Sequence, residues 1–383
     1  MEAALFWSLL IVGLYPYVLY PILALLVGRM TNRLVNKDPE FLPRVTLIIA
    51  AFNEARHIEA TVRNKLAQDY PGELLQILVV SDGSSDGTDE IVERIAAAEP
   101  RVRLLRQTPR QGKTAALNRA VAQSGGEILV FSDANSIYRQ GALRMLIRNF
   151  ADPDVGYVSG QMLYANSDGS LVGDGCTAYM RYENALRAIE TRIGSIVGVD
   201  GAIDSVRRSL YRPMQPDQLP DFVLPLDVAE QGYRVVYEPE AIVTEEALSD
   251  EAAEYRMRVR VALRALWALW DKRRLFNPLR YPLFSWQLAS HKLLRYLSAG
   301  PLLLAAAINW HLVTNGMIYQ LAAASQVVFL LLIACKFVGL RPIADLAITR
   351  YCYYFFLLNW SSAVAFVKFL GGKKQVIWQP RTG

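Results

Sequence analysis

The stretch that decides the fold begins with Gln76-Ile77-Leu78-Val79-Val80 and continues, after Ser81, into Asp82-Gly83-Ser84-Ser85-Asp86-Gly87. The first five residues form an apolar run that is typical of a buried strand. Ligands of open α/β sheets bind outside the carboxyl ends of the strands. A carboxylate at such an end, followed by glycines and hydroxyls, therefore predicts a turn that faces a nucleotide.

Two common nucleotide-binding loops do not fit this sequence. Gly83 and Gly87 are spaced G-x-x-x-G, whereas the dinucleotide fingerprint is G-x-G-x-x-G. Gly112-Lys113-Thr114 resembles the end of a phosphate loop, but Gln107 stands where its first glycine belongs. Some other nucleotide-using fold is required.

Apolar strands and helices alternate along the middle of the chain. The strands are predicted at 45–51, 76–80, 102–106 and 127–132, and the helices at about 54–68, 88–98 and 114–123. This order predicts an α/β fold with a mainly parallel sheet and helices on both faces. Asn53-Glu54, Asp82 and Asp133 each follow a strand, so we expect them at one edge of the sheet.

The apolar residues, 52% of the 383, are concentrated at the two ends. Residues 4–28 hold no charge and are long enough to span a bilayer. Arg29, Arg33 and Lys37 follow, so the positive-inside rule places residue 29 onward in the cytoplasm. Further spans are predicted at 294–313, 317–338 and 351–370. Four spans would place the basic C-terminal tail outside the cytoplasm, against the positive-inside rule. The last apolar segment is therefore either re-entrant or interfacial, or the tail is an exception to this rule.

These patterns predict a protein of the inner (plasma) membrane with a cytoplasmic catalytic domain. The predicted segments are an N-terminal span with its basic flank at 1–37, a soluble domain at 38–250, an amphipathic region at 251–282 and a membrane region at 283–383. The net charge of +5 comes mostly from basic residues beside the spans and suits anionic lipids rather than nucleic acid. Cys176, Cys335 and Cys352 show no metal spacing, which favours a reducing compartment.

Asp133-Ala134-Asn135 follows a buried strand and offers two oxygen ligands to Mg²⁺ or Mn²⁺. Such ions keep water and are completed by substrate phosphates rather than by a protein cage. A lone D-x-N is usually a capping residue and a loop residue. The matching carboxylate Asp82 at a neighbouring strand end favours the metal site here.

Asp221 follows the proline-bounded stretch 213–220 and opens a helix that ends near Gly232. It is either the N-cap of that helix or a general base that takes a proton from an acceptor hydroxyl. Asp227 is its rival for the second role, and we expect Asp227 to face solvent.

Residues 251–275 form an amphipathic helix, in which Arg256, Arg260 and Arg264 recur every four residues on one face. Next to membrane spans, such a helix is predicted to lie in the interface plane. Its arginines either meet lipid headgroups, or Arg258 or Arg260 turns inward to a diphosphate.

Taken together, these motifs resemble the membrane-embedded inverting glycosyltransferases of family two, which include hyaluronan, chitin, cellulose and poly-N-acetylglucosamine synthases. The resemblance covers about residues 40–275 and the flanking membrane segments. Its elements occur in order: Ala50-Ala51-Phe52-Asn53-Glu54, Asp82 to Thr88, Gly112 to Asn118, Ser132 to Asn135, Pro220-Asp221-Phe222 and Gly232 to Ala241.

The resemblance implies a GT-A fold and a single displacement that inverts the anomeric centre. By position it assigns donor binding to Ala51, Phe52, Asn53, Glu54, Asp82, Lys113, Asn118, Asp133, Arg258 and Arg260. It assigns the divalent metal to Asp133 and Asn135, and the base to Asp221. The loop Gly198-Val199-Asp200-Gly201-Ala202 is expected to shape the choice of sugar.

The sequence departs from the family pattern in three places. Asn135 replaces the second metal-site Asp, Pro220 replaces an acidic residue before the base, and Met257-Arg258-Val259-Arg260-Val261 keeps only the arginine of the family's Q/R-x-x-R-W element. The leading hypothesis is a membrane-bound enzyme that transfers N-acetylglucosamine or glucose from a UDP-sugar to a polysaccharide or lipid-linked acceptor. The alternatives are single-sugar transfer to a lipid carrier and a catalytically silent membrane partner.

Overall fold

The computed structural model describes residues 1–165, 171–246 and 251–374, which separate into two compact units. The first, called here the sheet unit, contains Val27–Ala165 and Tyr182–Glu246. The second, the helical unit, is formed by the described residues of Met1–Leu26, Asn166–Arg181 and Ala247–Lys374.

The strands all belong to the sheet unit. They are β1 Val45–Ala51, β2 Leu75–Ser81, β3 Val102–Arg106, β4 Ile128–Asp133, β5 Ile137–Tyr138, β6 Val155–Ala165, β7 Ile203–Arg207 and β8 Arg234–Glu246.

The helices occur in both units. They are α1 Glu2–Leu14, α2 Leu19–Thr31, α3 Ile58–Leu66, α4 Thr88–Ala98, α5 Lys113–Ala122, α6 Ala142–Ile147, α7 Leu171–Ile193, α8 Pro220–Glu230, α9 Glu251–Asp271, α10 Pro282–Gln287, α11 Leu294–Leu297, α12 Ala299–Leu312, α13 Met317–Phe337, α14 Arg341–Ala344 and α15 Ala347–Leu370.

The eight strands form one sheet in the order β3-β2-β1-β4-β7-β6-β8-β5. Strands β3, β2, β1 and β4 are mutually parallel, β7 runs antiparallel to β4 and β6, and β8 is parallel to β6. The predicted α/β class with a mainly parallel sheet is confirmed. The central β1 is buried at every position, as its apolar run predicts.

The register of the parallel strands brings three strand ends to one edge. Ala51 pairs with Ser81 of β2, and Ala50 pairs with Asp133 of β4. The loops after β1, β2 and β4 therefore begin side by side. Helix α3 starts at Ile58 rather than near residue 54, and the amides of Glu54 and Ala55 before it donate to the side chains of Thr88 and Asp86.

The helical unit contains two helices long and apolar enough to cross a membrane, Met317–Phe337 and Ala347–Leu370. Two bent pairs bring the number of possible spans to four. The segment predicted as one span at 4–28 is such a pair, bent by 57° between Leu14 and Leu19. Pro16 lies in the break and cannot donate a helical hydrogen bond. These helices are consistent with a membrane protein.

Helix α9 packs against α15 rather than lying only on a surface. Val259, Leu263 and Leu266 form a buried cluster with Ala365. Residues 262–266 are all buried, which covers more than one full turn of the helix. Arg264, one of the three arginines that share a face of α9, is buried.

Candidate active site

The loops after β1 and β2 are joined by hydrogen bonds. The amide of Asn53 donates to Ser84 Oγ over 3.1 Å, and the amide of Ser85 donates to Asn53 Oδ1 over 2.9 Å. Ala55 N donates to Asp86 Oδ2 over 2.9 Å. Asn53 has a φ of 55°, a left-handed conformation that asparagine tolerates better than most residues. The polar residues of these two motifs thus build one surface.

Asp82 holds the loop that precedes α5. Its carboxylate accepts hydrogen bonds from Gln107 Nε2 at 2.6 Å, from the Gln111 amide at 2.8 Å and from the Gly112 amide at 2.8 Å. The guanidinium of Arg110 lies 3.6 Å from Asp82 Oδ2. Asp82 is only 3% exposed, and both of its oxygens accept hydrogen bonds from this loop. The loop leads directly into Lys113.

The remaining residues of the first motif lie beside this loop. The Arg110 guanidinium stacks on the ring of Phe52, 3.5 Å from the ring centroid. Ala51 is the last residue of β1 and is buried. Partial burial raises the pKa of Glu54 to about 7, and the negative charges of Asp133, Asp86 and Glu245 contribute. Glu54 thus belongs to the electrostatic surroundings of Asp133.

Lys113 and Asp133 form an ion pair, with Lys113 Nζ 2.5 Å from Asp133 Oδ1. Burial opposes the charge of the lysine. The carboxylates of Asp133 and Asp221 outweigh that effect and hold the pKa of Lys113 above its ordinary value. Lys113 is therefore a fixed positive charge that both predicted functional carboxylates stabilise.

A cleft in the sheet unit brings these carboxylates together. Its lining residues are Lys113, Leu117, Phe131, Ser132, Asp133, Tyr157, Gly201, Asp204, Pro220, Asp221 and Leu224. Gly201 has a φ of +82°, and a Cβ there would lie 2.4 Å from Asp221 Cγ. Only glycine permits this approach, so the loop 198–202 and Asp221 fit each other closely.

Asp204 is a cleft residue that the sequence reasoning missed. It lies in β7, opposite Phe131 of β4, and is 2% exposed. Burial raises the pKa of Asp204 to about 7, with a contribution from Asp221, while the hydroxyl of Ser159 opposes the shift. Aspartate is depleted in strands. Asp204 inside the run Ala202-Ile203-Asp204-Ser205-Val206 could therefore have been recognised from the sequence as a candidate site residue.

Asp133 and Asn135 offer the oxygen ligands that a hard divalent cation prefers. Asp133 is about one-third exposed at the cleft, with a side-chain exposure of 35%. In the described residues, no group of three or more His, Cys, Asp or Glu side chains could enclose a metal ion. Binding of a divalent cation by Asp133 and Asn135 stays a prediction.

Asn118 connects α5 to the segment before Asp221. Its Oδ1 accepts hydrogen bonds from Tyr211 Oη at 2.7 Å and from the Met214 amide at 3.1 Å, and its Nδ2 donates to Met214 O at 2.7 Å. Thr114 Oγ1 donates to Gln218 O at 2.9 Å. The helix that begins at Lys113 thus also fixes the chain that leads to α8.

Asp221 lies in the first turn of α8, after Pro220, and is half-buried at the cleft. Asp227 was predicted to face solvent, and this prediction is wrong. It is 4% exposed and lies 3.9 Å from Arg212, since nearly the whole of α8 packs into the sheet unit. Solvent exposure therefore does not decide which of the two aspartates is the general base. Asp221 lines the cleft, and this favours Asp221.

Arg258 and Arg260 belong to the helical unit. Arg258 Nε donates to Glu254 Oε1 at 2.8 Å, and its Nη2 donates to the Tyr354 hydroxyl at 2.6 Å. Arg260 is half-buried. Contact between these arginines and a diphosphate stays a prediction.

The sheet order and the cleft at the strand ends correspond to a GT-A fold. The mannosyltransferase PcManGT from Pyrobaculum calidifontis, solved with GDP-Man and Mn²⁺, superposes with a TM-score of 0.74 over 97% of this chain and 100% of its own at 24% identity, which shows the shared fold.

Family models agree with this assignment. The model described as glycosyl transferase family 2 matches residues 46–200, and the model described as glycosyl transferase family group 2 matches residues 128–341, more than half of the chain. The protein belongs to the family-two glycosyltransferases.

Curated relatives are similar to part of this chain. The poly-beta-1,6-N-acetyl-D-glucosamine synthase of Staphylococcus aureus (strain COL) is 29% identical over 217 residues, which are 54% of this chain and 52% of that protein. Glycosyltransferase AglE of Haloferax volcanii is 32% identical over 143 residues, 37% of this chain and 45% of that protein. The chain thus spans about half the length of the curated relatives it matches.

Proposed function

We propose that the protein is a membrane-bound glycosyltransferase that transfers N-acetylglucosamine or glucose from a UDP-sugar to a polysaccharide or lipid-linked acceptor. One observation carries the proposal: Lys113, Asp133 and Asp221, which are far apart in sequence, line a single cleft. The similarity to a poly-N-acetylglucosamine synthase supports the choice of sugar.

The donor would lie along the strand ends. Ala51 to Glu54 would contact the uridine side, within a surface whose loop geometry Asp82 maintains. Asp133 and Asn135 would hold Mg²⁺ or Mn²⁺. When bound, such an ion supplies positive charge that neutralises the diphosphate leaving group.

The acceptor hydroxyl would react in the same cleft. Asp221 would take the proton of that hydroxyl as the oxygen forms its bond to the anomeric carbon. The bond from that carbon to the diphosphate oxygen breaks on the opposite side, which inverts the configuration. The ammonium of Lys113, whose charge Asp133 and Asp221 favour, would stabilise the negative charge that develops on the leaving group.

Membrane attachment would keep the acceptor near a bilayer. Large apolar side chains of the helical unit are exposed, including Leu303, Leu330 and Val367, as expected for contact with lipid. The departure of residues 257–261 from the pattern of polymerising synthases favours a second candidate, transfer of one sugar to a lipid carrier. The compartment we propose is the inner membrane with a cytoplasmic sheet unit.

A donor screen tests the proposal. The purified full-length protein is incubated with individual UDP-sugars, and with GDP-mannose, in the presence of Mn²⁺, Mg²⁺ or EDTA, and nucleotide release is measured. We expect metal-dependent UDP release that is lost in Asp133→Ala and kept in the matched surface variant Asp154→Ala. A ladder of long products would identify a synthase, and one glycolipid band the single transferase. Absence of release from every donor would refute the proposal.

A further inference from the structure

One face of α3 holds the backbone that follows Asp133. Thr61 Oγ1 donates to Ala134 O over 2.7 Å, and Lys65 Nζ donates to Ser136 O. Asn64 exchanges two hydrogen bonds with the backbone of Tyr138, at 2.9 and 2.8 Å. Positions 61, 64 and 65 are three and four residues apart and so share one helical face. Residues 133–136, called here the Asp133 turn, are thus fixed on both sides of Asn135.

The side chain of Lys65 is buried behind this turn. The residue is 0% exposed, and its Nζ lies 3.7 Å from the centroid of the Tyr138 ring. Burial lowers the pKa of Lys65 well below its ordinary value, while the carboxylates of Glu245 and Asp133 oppose that shift. Glu245 is 2% exposed and accepts a hydrogen bond from the hydroxyl of Ser136. Lys65 and Glu245 thus contact the same residue of the turn.

Stability gives little reason to keep this arrangement. A buried lysine and a buried carboxylate both lose hydration, and apolar residues of similar volume can often replace such groups without loss of stability. A metal site, in contrast, needs its ligands held to within about 0.5 Å by surrounding hydrogen bonds. The Asp133 turn carries both ligands of the metal site in the proposed function.

We propose that Lys65, together with Glu245, is a positioning residue that holds the Asp133 turn in the geometry required to bind the divalent cation and the donor diphosphate. This inference rests on the proposed function, because the turn matters only if Asp133 and Asn135 bind the cation. Lys65 itself need not touch the donor. Its contribution is transmitted through the carbonyl of Ser136.

The test measures Mn²⁺ binding directly, by the electron paramagnetic resonance signal of free Mn²⁺, with and without UDP. Full-length wild type, Lys65→Met, Lys65→Gln and Thr61→Val are compared. Arg63→Met is the control, since Arg63 lies on the same helix in an exposed pair with Glu59. Loss of a residue that orients metal ligands typically weakens metal affinity by about 10–100-fold, and we expect this for Lys65→Met. Lys65→Gln, which can still donate to Ser136 O, should recover part of the affinity.

The outcomes separate this inference from the proposed function. If wild type binds no Mn²⁺ with or without UDP, both are wrong. If wild type binds Mn²⁺ and a folded Lys65→Met binds it equally well, the positioning role alone is wrong. Should Lys65→Met fail to fold by thermal melting, Lys65→Gln decides. Weakened binding in Lys65→Gln, with Arg63→Met unchanged, supports the role, and binding equal to wild type overturns it.

Discussion

Two groups of polar motif residues in the sheet unit use their side chains differently. Around the loops after β1 and β2, Asn53, Asp82 and Asp86 accept hydrogen bonds from backbone amides of neighbouring loops. At the cleft, Asp133 and Asp221 instead line the same space as Lys113, whose charge both carboxylates favour. The carboxylates of the first group accept hydrogen bonds from loop backbone, whereas those of the second line the cleft, where Asp133 pairs with Lys113.

This difference indicates that a motif can be required for two distinct physical reasons. The loops of the first group must hold a shape, so changes there should act on stability and donor binding. The cleft residues must react, so changes there should act on turnover. Kinetic and thermal measurements on matched variants can therefore separate the two groups.

The largest effect is expected for Asp221→Asn. The amide cannot take a proton, and general-base assistance typically contributes about 10²–10⁴-fold. We expect kcat to fall by that factor, while the melting temperature and the KM for the donor change little. The control is Asp227→Asn on the same helix, which should keep most of the turnover. Equal losses of kcat in the two variants would contradict the assignment of the base.

The next effect concerns pH and Asp204. Its pKa is raised from an ordinary value of 3.8 to about 7. Between these values the folded state holds a proton that the unfolded state has lost, so this group makes stability fall as pH rises, and the fall ends above about pH 7. A shift of about three units corresponds to a few kcal/mol at most.

Asp204→Asn cannot ionise and should remove that part of the pH dependence. Melting curves recorded in EDTA from pH 5 to 8 should show the variant gaining stability relative to wild type as pH rises. Asp154→Asn, a substitution of an exposed aspartate, serves as the control and should follow wild type. If the curves of Asp204→Asn and wild type stay parallel, Asp204 ionises in the fold as it does in the unfolded chain.

The local part of this architecture could be predicted from sequence. The apolar runs of β1, β2 and β4 end in polar residues, and a parallel register brings such ends to one edge. The position of Asp133 and its loop at this edge follows from that argument alone, because the loop directly follows the strand in the chain. The fold class was predictable for the same reason.

Features set by distant pairing could not be predicted. The burial of Asp204 depends on β7 lying between β4 and β6, an antiparallel insertion that alternating strands and helices do not indicate. The burial of Lys65 depends on contact between α3 and the turn about 70 residues later. A buried lysine on a short helix has the same local pattern as a surface lysine, so no periodicity distinguishes them.

The smallest effect tests the first group at Asp82. Asp82→Asn places an amide NH₂ where an oxygen now accepts a hydrogen bond from Gln111 or Gly112. A buried hydrogen-bonding group left unsatisfied costs about 1–3 kcal/mol, so the melting temperature should fall and the KM for the donor should rise, while kcat at saturating donor falls far less than in Asp221→Asn. The exposed Asp69→Asn should change stability by less than about 0.5 kcal/mol. A variant that melts like wild type but loses kcat as Asp221→Asn does would place Asp82 in the reacting group, and the division between the loops and the cleft would then be wrong.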